Sequence, residues 1–227
     1  MMGCVSRAVV HDQQDPPHQT EAHAGRLAGD GGDGVAASLT VWRESLLPSC
    51  TGFTVFDSTG DLLFRVDNYG GGRPAEMVLM DISGKPLFSL LRRKIKLGLL
   101  HNWLLYEGEP REYCAASSSP PTKKRPIFCV KKAAAAAAAA PGGAVARVVG
   151  CNGDGRCAYV IEGSYSLRSC KILEACPRRV VAEIRRKTSS NGGGVSFGGG
   201  VFVLNVHPGF SPGFAMALVM ALDQMFS

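Results

Sequence analysis

The sequence is short of the residues from which active sites are usually assembled. It has five histidines, and His11, His18 and His23 fall in a polar N-terminal stretch, which leaves His101 and His207. His207 precedes Pro208 where a strand-like run gives way to a helix-like one, and it reads as a hydrogen-bonded corner residue. The glycine runs Gly70–Gly72, Gly192–Gly194 and Gly198–Gly200 carry no following Lys-Ser/Thr, and no Gly-x-Gly-x-x-Gly opens a helix behind a strand. Phosphate-cradling loops are therefore not indicated. No paired carboxylates or Cys-His pairs stand out. Aromatic residues make up 7% of the chain, too few among the cations to favour stacking on single-stranded nucleic acid. No catalytic residue, cofactor or metal is expected, so the protein is read as a non-enzyme.

Eight cysteines are present, but in no metal-binding rhythm. Cys151 and Cys157, like Cys170 and Cys176, are separated by five residues, whereas zinc knuckles use about two to four. The start "MMGCVSRAVVHDQQDPP" has no long apolar run of the secretory type, so reduced thiols are the expectation. Acylation at Gly3 and Cys4 from a start at Met2 is disfavoured, because Arg7 stands where Ser or Thr is needed.

Charge is abundant and uneven. Two arginines against five carboxylates set residues 1–38 at −3, so the remainder carries +9 of the overall +6. A basic body invites anionic partners. Residues 1–38, polar, glycine-rich and aperiodic, read as a disordered arm. From Leu39 the chain becomes short apolar runs between turn signals. In "LLFRVDNY", Leu62, Phe64 and Val66 share one face and Leu63, Arg65 and Asp67 the other, the period of a strand packed on one side. "FDSTGDLLF" and "MDISGKPLF" read as hairpins about Asp-x-x-Gly turns. Residues 115–143, holding a Ser/Pro loop and eight alanines, read as a low-complexity insertion with "PIFCV" as one plausible strand inside it. Beyond it "AVARVVG", "CAYVIEG", "SYSLRSC", "KILEA", "RRVVAEIRRK" and "GVFVLNVHP" read as strands. "GKPLFSLLRRKIKLG" and "PRRVVAEIRRKTSSN" echo each other, as a weak internal duplication would.

The tail "GFSPGFAMALVMALDQMFS" breaks the pattern. Ser211 and Pro212 form a good helix entry. Phe214–Leu222 leaves no polar stripe, which rules out a surface amphipathic helix. The stretch to Phe226 is thirteen residues, short of the roughly 20 that cross a bilayer. A helix over 212–226 enclosed by protein is the better reading, and in a chain of strands the enclosure is a curved or closed sheet.

Basic clusters are the functional candidates. Arg92, Lys94 and Lys96 alternate onto one strand face, with Arg93 on the other. Arg178, Arg179, Arg185, Arg186 and Lys187 form a second group. The candidate lipid-contacting set is Arg92, Lys94, Lys96, Arg178, Arg179, Arg185 and Lys187, each cation contributing about 1 kcal/mol near an anionic surface. Lys123, Lys124 and Arg125 in "PPTKKRP" resemble a short nuclear-localisation signal.

Several motifs together resemble the LURP-one-related family of plants: "LTVWRESLL", "GFTVFDSTGDLLFRVDNY", "VLMDISGKPLFSLLRRK", "WLLYEGE", "RRVVAEIRRK" and "HPGFSPGFAMALVMALDQMF". They cover nearly all of 39–227 apart from the insertion. The resemblance implies the tubby C-terminal-like fold, a mainly β domain of about twelve antiparallel strands closed around a hydrophobic C-terminal helix. It also implies kinship with phospholipid scramblases and phosphoinositide-tethered tubby-like proteins, and a setting in plant stress and defence. No catalytic residues come with it. The expected partner is an anionic phospholipid, such as a phosphoinositide, or a protein. The expected chain is a cytoplasmic monomer without a transmembrane segment, peripheral at membranes or nuclear. The alternative is a nuclear regulator touching nucleic acid through its basic clusters.

Overall fold

The computed structural model describes residues 36–69, 75–93, 102–112, 122–134, 143–151, 155–188 and 198–227. Among them are β1 (Ala37–Trp42), β2 (Cys50–Phe56), β3 (Leu62–Tyr69), β4 (Glu76–Asp81), β5 (Pro86–Arg93) and β6 (Asn102–Glu107). Then follow β7 (Arg111–Glu112), β8 (Thr122–Lys123), β9 (Phe128–Lys132), β10 (Ala144–Gly150) and β11 (Cys157–Ser164). The series ends with β12 (Ser169–Glu174), β13 (Val180–Arg186), β14 (Val201–Val206) and one helix, α1 (Pro212–Phe226). Neighbouring strands pair antiparallel all the way round. β6 passes over the small β7–β8 ribbon to pair with β9, and β1 pairs with both β2 and β14 to close a twelve-stranded barrel. Closure leaves no free edge to recruit another strand.

The barrel is filled by α1. Ala215 through Leu222 are buried on every side of the helix, including Met216, Leu218, Val219 and Leu222. Alternate residues of the strands meet them: Leu39 and Val41, Phe53 and Val55, Leu90, Leu105, Val130, Ile172, Ile184 and Leu204. Ser211 caps the helix, its hydroxyl accepting from the Phe214 amide, and Pro212 opens it. Phe88, Phe128, Tyr159, Phe210 and Phe214 form an aromatic cluster around this N-terminal end. His207 is a corner residue as expected, its amide donating to Val181 and its carbonyl accepting from Phe210.

Four details depart from the sequence reading. Strict alternation in β3 fails at a bulge: Val55 pairs with Phe64 but Phe56 with Leu62, so Leu63 turns to pack on the core. "SYSLRSC" is mostly a turn, Tyr165–Arg168, between β11 and β12. Within the expected insertion the strand read in "PIFCV" forms, as Phe128–Lys132, but it is a full barrel strand pairing both β6 and β10; residues 113–121 and 135–142 lie outside the described residues. The echo between "LLRRK" and "EIRRK" is not a structural repeat. Arg92 follows the inward register of Leu90, whereas Arg185, its counterpart, faces out beside inward Ile184.

The two Asp-x-x-Gly turns form as expected. Asp57 Oδ1 accepts from the Thr59 and Asp61 amides, and Asp81 Oδ1 from the Ser83 and Lys85 amides, at 2.8–3.0 Å. The Thr59 and Ser83 hydroxyls and these amides hold both carboxyls below the usual aspartate range. A depressed folded-state value gives stability that is full above the unfolded value and is lost as pH falls through the folded one. The Asp57→Ala/Asp81→Ala double variant should therefore lose less stability than the wild type as pH drops through the carboxylate range. Urea midpoints compared at neutral and acidic pH measure this; parallel curves would count against it.

Candidate functional site

The two ends of the barrel differ in chemistry. At the C-terminal end of α1, Asp223 is buried and its carboxylate accepts from three residues. Arg43 Nε donates at 2.7 Å from the segment after β1, Tyr165 Oη at 3.1 Å from the β11–β12 turn, and Ser227 Oγ at 2.8 Å. Burial, reinforced by the Asp223 charge, raises the Tyr165 phenol well above its ordinary value, so it remains a donor. The last turn of α1 has no basic residue of its own. Lys132, in the inward register of β9, supplies one: its ammonium donates to the Met225 carbonyl at 3.2 Å and lies over the Phe226 ring. That is the charge a helix C-terminus prefers.

Beside this clasp sits Arg168. Its backbone is left-handed (φ 51°), and its guanidinium lies 4.2 Å from the Tyr165 ring centre and 4.4 Å from that of Phe202. Arg168 Nε donates to the Gly199 carbonyl at 2.9 Å, and Nη1 is buried without a partner. Arg168 lines a cavity of about 400 Å³ with Leu167, Lys171, Glu183, Arg185 and Arg186. One carboxylate against four cations leaves that lining positive.

The sequence candidates fall in different places. Arg178 and Arg179 lie at the opposite end, past β12, and each faces a carboxylate, Glu162 and Glu174 respectively. Arg185 is on the outer wall at the α1 C-terminal end but is engaged by Glu183, which Lys171 also approaches at 3.9 Å. Lys187, at the same end, donates to the Thr40 hydroxyl at 2.9 Å. Arg92 does not share an outer face: it pairs with Trp103 on the inner register, and Arg92 Nε and Trp103 Nε1 are both buried without partners. Lys94 and Lys96 lie outside the described residues. Lys123 belongs to β8, the Lys124 amide donates to Pro110, and Arg125 is exposed, all away from the α1 C-terminal end.

Sequence reasoning missed a more coherent set. Arg93 pairs with Asn102, Asn102 with Lys131, and Lys131 with Arg147. These residues form one row on the outer face of β5, β6, β9 and β10, spanning roughly 14 Å at ~4.8 Å per strand. Arg93, Lys131 and Arg147 are all exposed. They come from distant parts of the chain, and only the register aligns them. Together with Arg168, Arg186 and Lys187, they place cations without a carboxylate partner among the described residues toward the α1 C-terminal end.

The model of the LURP-one-related family matches residues 37–223. The chain belongs to that family. It is 42% identical over 218 residues to protein LURP-one-related 17 of Arabidopsis thaliana, covering 96% of this chain and 95% of the relative. Protein LURP-one-related 8 of the same plant is 41% identical over 192 residues, covering 84% and 88%. A crystal structure of another Arabidopsis thaliana protein has the same fold, with a TM-score of 0.54 at 22% identity, over 84% of this chain and 91% of that one. For this LURP-one-related chain, no helix among the described residues is long and apolar enough to cross a membrane. Three of its thiols are not poised as nucleophiles: burial raises Cys129 and Cys151, and pushes Cys170 up to about 12.

Proposed function

We propose that this LURP-one-related chain is a non-enzymatic peripheral protein that binds anionic phospholipid through the α1 C-terminal end of its barrel. The observation that carries this reading is the outer-face row Arg93–Lys131–Arg147, three exposed cations that only the strand register brings into line. Arg93, Lys131 and Arg147, with Arg186 and Lys187 at the same end, face no carboxylate among the described residues, whereas Arg178 and Arg179 at the other end are each engaged by one. Such a face gains from the surface potential of an anionic leaflet. The raised thiols of Cys129, Cys151 and Cys170 and the scarcity of histidine support a binding role over catalysis. The kinship with tubby-like proteins and phospholipid scramblases, and the setting in plant defence, that the family resemblance implies accord with this reading. Nucleic acid is the weaker partner, because no exposed aromatic side chain accompanies the Arg93–Lys131–Arg147 row among the described residues.

Sedimentation with phosphatidylcholine vesicles, with and without phosphatidylserine or a phosphoinositide, tests the proposal. The triple variant Arg93→Glu/Lys131→Glu/Arg147→Glu should bind anionic vesicles roughly a hundredfold more weakly, from about 1 kcal/mol per cation. Arg178→Glu/Arg179→Glu should bind nearly as the wild type does. Equal losses in the two variants, or binding indifferent to lipid charge and salt, would refute it.

A further inference from the structure

We infer that the barrel docks on the anionic bilayer end-on, with the α1 C-terminal end facing the membrane and Leu167, Trp42 and Leu46 entering the headgroup layer. This rests on the lipid-binding reading and adds to it an orientation and apolar anchors. Four large apolar side chains are exposed among the described residues: Trp42 (43%), Leu46 (58%), Leu167 (58%) and Ile82 (66%). Ile82 sits on the β4–β5 turn, at the other end. The remaining three lie toward the basic end, Leu46 and Leu167 on adjoining loops and Trp42 at the end of β1 with its ring edge-on to that of Phe56 at 5.3 Å. Leu167 is at the tip of the β11–β12 turn and lines the cationic cavity. Trp42 ends β1, opposite Val201 of β14. Leu46 lies in the segment that follows Trp42.

These loops are tied to one another. The Arg43 amide donates to the Gly200 carbonyl and Arg168 Nε to Gly199, so both anchor-bearing segments grip one turn. Arg43 and Tyr165 then converge on Asp223. Within the Leu46 segment, the Ser45 hydroxyl bonds Asp67 at 2.5 Å, and the Glu44 carbonyl accepts from Thr54. The apolar tips are thus held on fixed loops, which lowers the ordering cost of insertion. A bilayer is the occupant that suits both features. Cations at the rim meet lipid phosphates, and Trp and Leu beside them fit the headgroup boundary, where Trp is enriched. Glu44 and Glu76 are exposed carboxylates at this end, and the half-buried Glu183 is the carboxylate of the cavity, where four cations outnumber it.

Tryptophan fluorescence of the full chain decides the matter. The chain has two tryptophans, and Trp103 is 1% exposed inside the barrel, so a lipid-dependent change reports Trp42. Vesicles of phosphatidylcholine and phosphatidylserine with brominated acyl chains should quench the emission on binding, and Trp42→Phe should remove the quench. Leu167→Glu should weaken vesicle binding about tenfold, the loss of one buried leucine contact. Ile82→Glu should leave binding unchanged. Binding without quenching, or equal effects of Leu167→Glu and Ile82→Glu, would overturn the insertion while sparing the electrostatic reading. No binding to anionic vesicles would overturn both.

Discussion

Leu218→Asp should leave no stably folded barrel. Leu218 is at the middle of α1, fully buried, with strand side chains on every side. The substituted carboxylate would have no cation within the helix's apolar stretch and no water. Burying an unpaired charge of this kind costs several kcal/mol, comparable to the whole stability of a small domain. Removing residues 209–227 should be at least as damaging, because it empties the barrel. Soluble yield and cooperative thermal unfolding, followed by circular dichroism, would show it. A soluble truncated chain that still unfolds cooperatively would refute the central role of α1, since a detachable anchor would behave in that way.

Gly163→Ala should also be severely destabilising, with a loss of about 1–3 kcal/mol from backbone strain alone. Gly163 has φ 98°, and a methyl group there would sit 2.1 Å from the Ser169 carbonyl oxygen. That oxygen belongs to the backbone of the neighbouring strand, so no side-chain rotation relieves the clash. The β11–β12 pair would have to separate, moving the Tyr165–Arg168 turn that carries Leu167. The variant should thus weaken anionic vesicle binding although it alters no charge. A chemical-denaturation curve and a vesicle-sedimentation assay on one preparation would test both effects. Unchanged midpoints would contradict the steric argument.

Much of the architecture was legible because it rests on local patterns. The apolar run Phe214–Leu222, too short for a bilayer and without a polar stripe, indicated a protein-enclosed helix, and Ser211-Pro212 its start. The Asp57 and Asp81 turns followed from side chains that bond their own backbone. What was not legible depended on register and on chain ends meeting. The bulge at Leu63 shifts a pattern by one residue and leaves no mark in composition. Arg92 was placed with Lys94 and Lys96 by strand parity, but parity alone does not say which face is inner; the Arg92–Trp103 pairing does. Arg178 and Arg179 looked like partners of Arg185 because they are seven residues or fewer apart in sequence, yet β13 carries them to opposite ends. The row Arg93–Lys131–Arg147 is the converse case, residues far apart in sequence that hydrogen-bonded strands bring into line.

The position of α1 in the chain also bears on how the protein is made. Every described strand precedes it in order of synthesis, and β1 must wait for β14 before the wall can close. A chain emerging from the ribosome therefore exposes twelve half-greasy strands before the residues that fill their interior exist. Such non-local pairing is slow, and open strand edges are prone to aggregate in the interval. Folding of this domain is in effect postponed until residues 212–226 have been translated, so a ribosome stalled shortly before Pro212 should hold a protease-sensitive nascent chain whose need for chaperones ends only when the helix arrives.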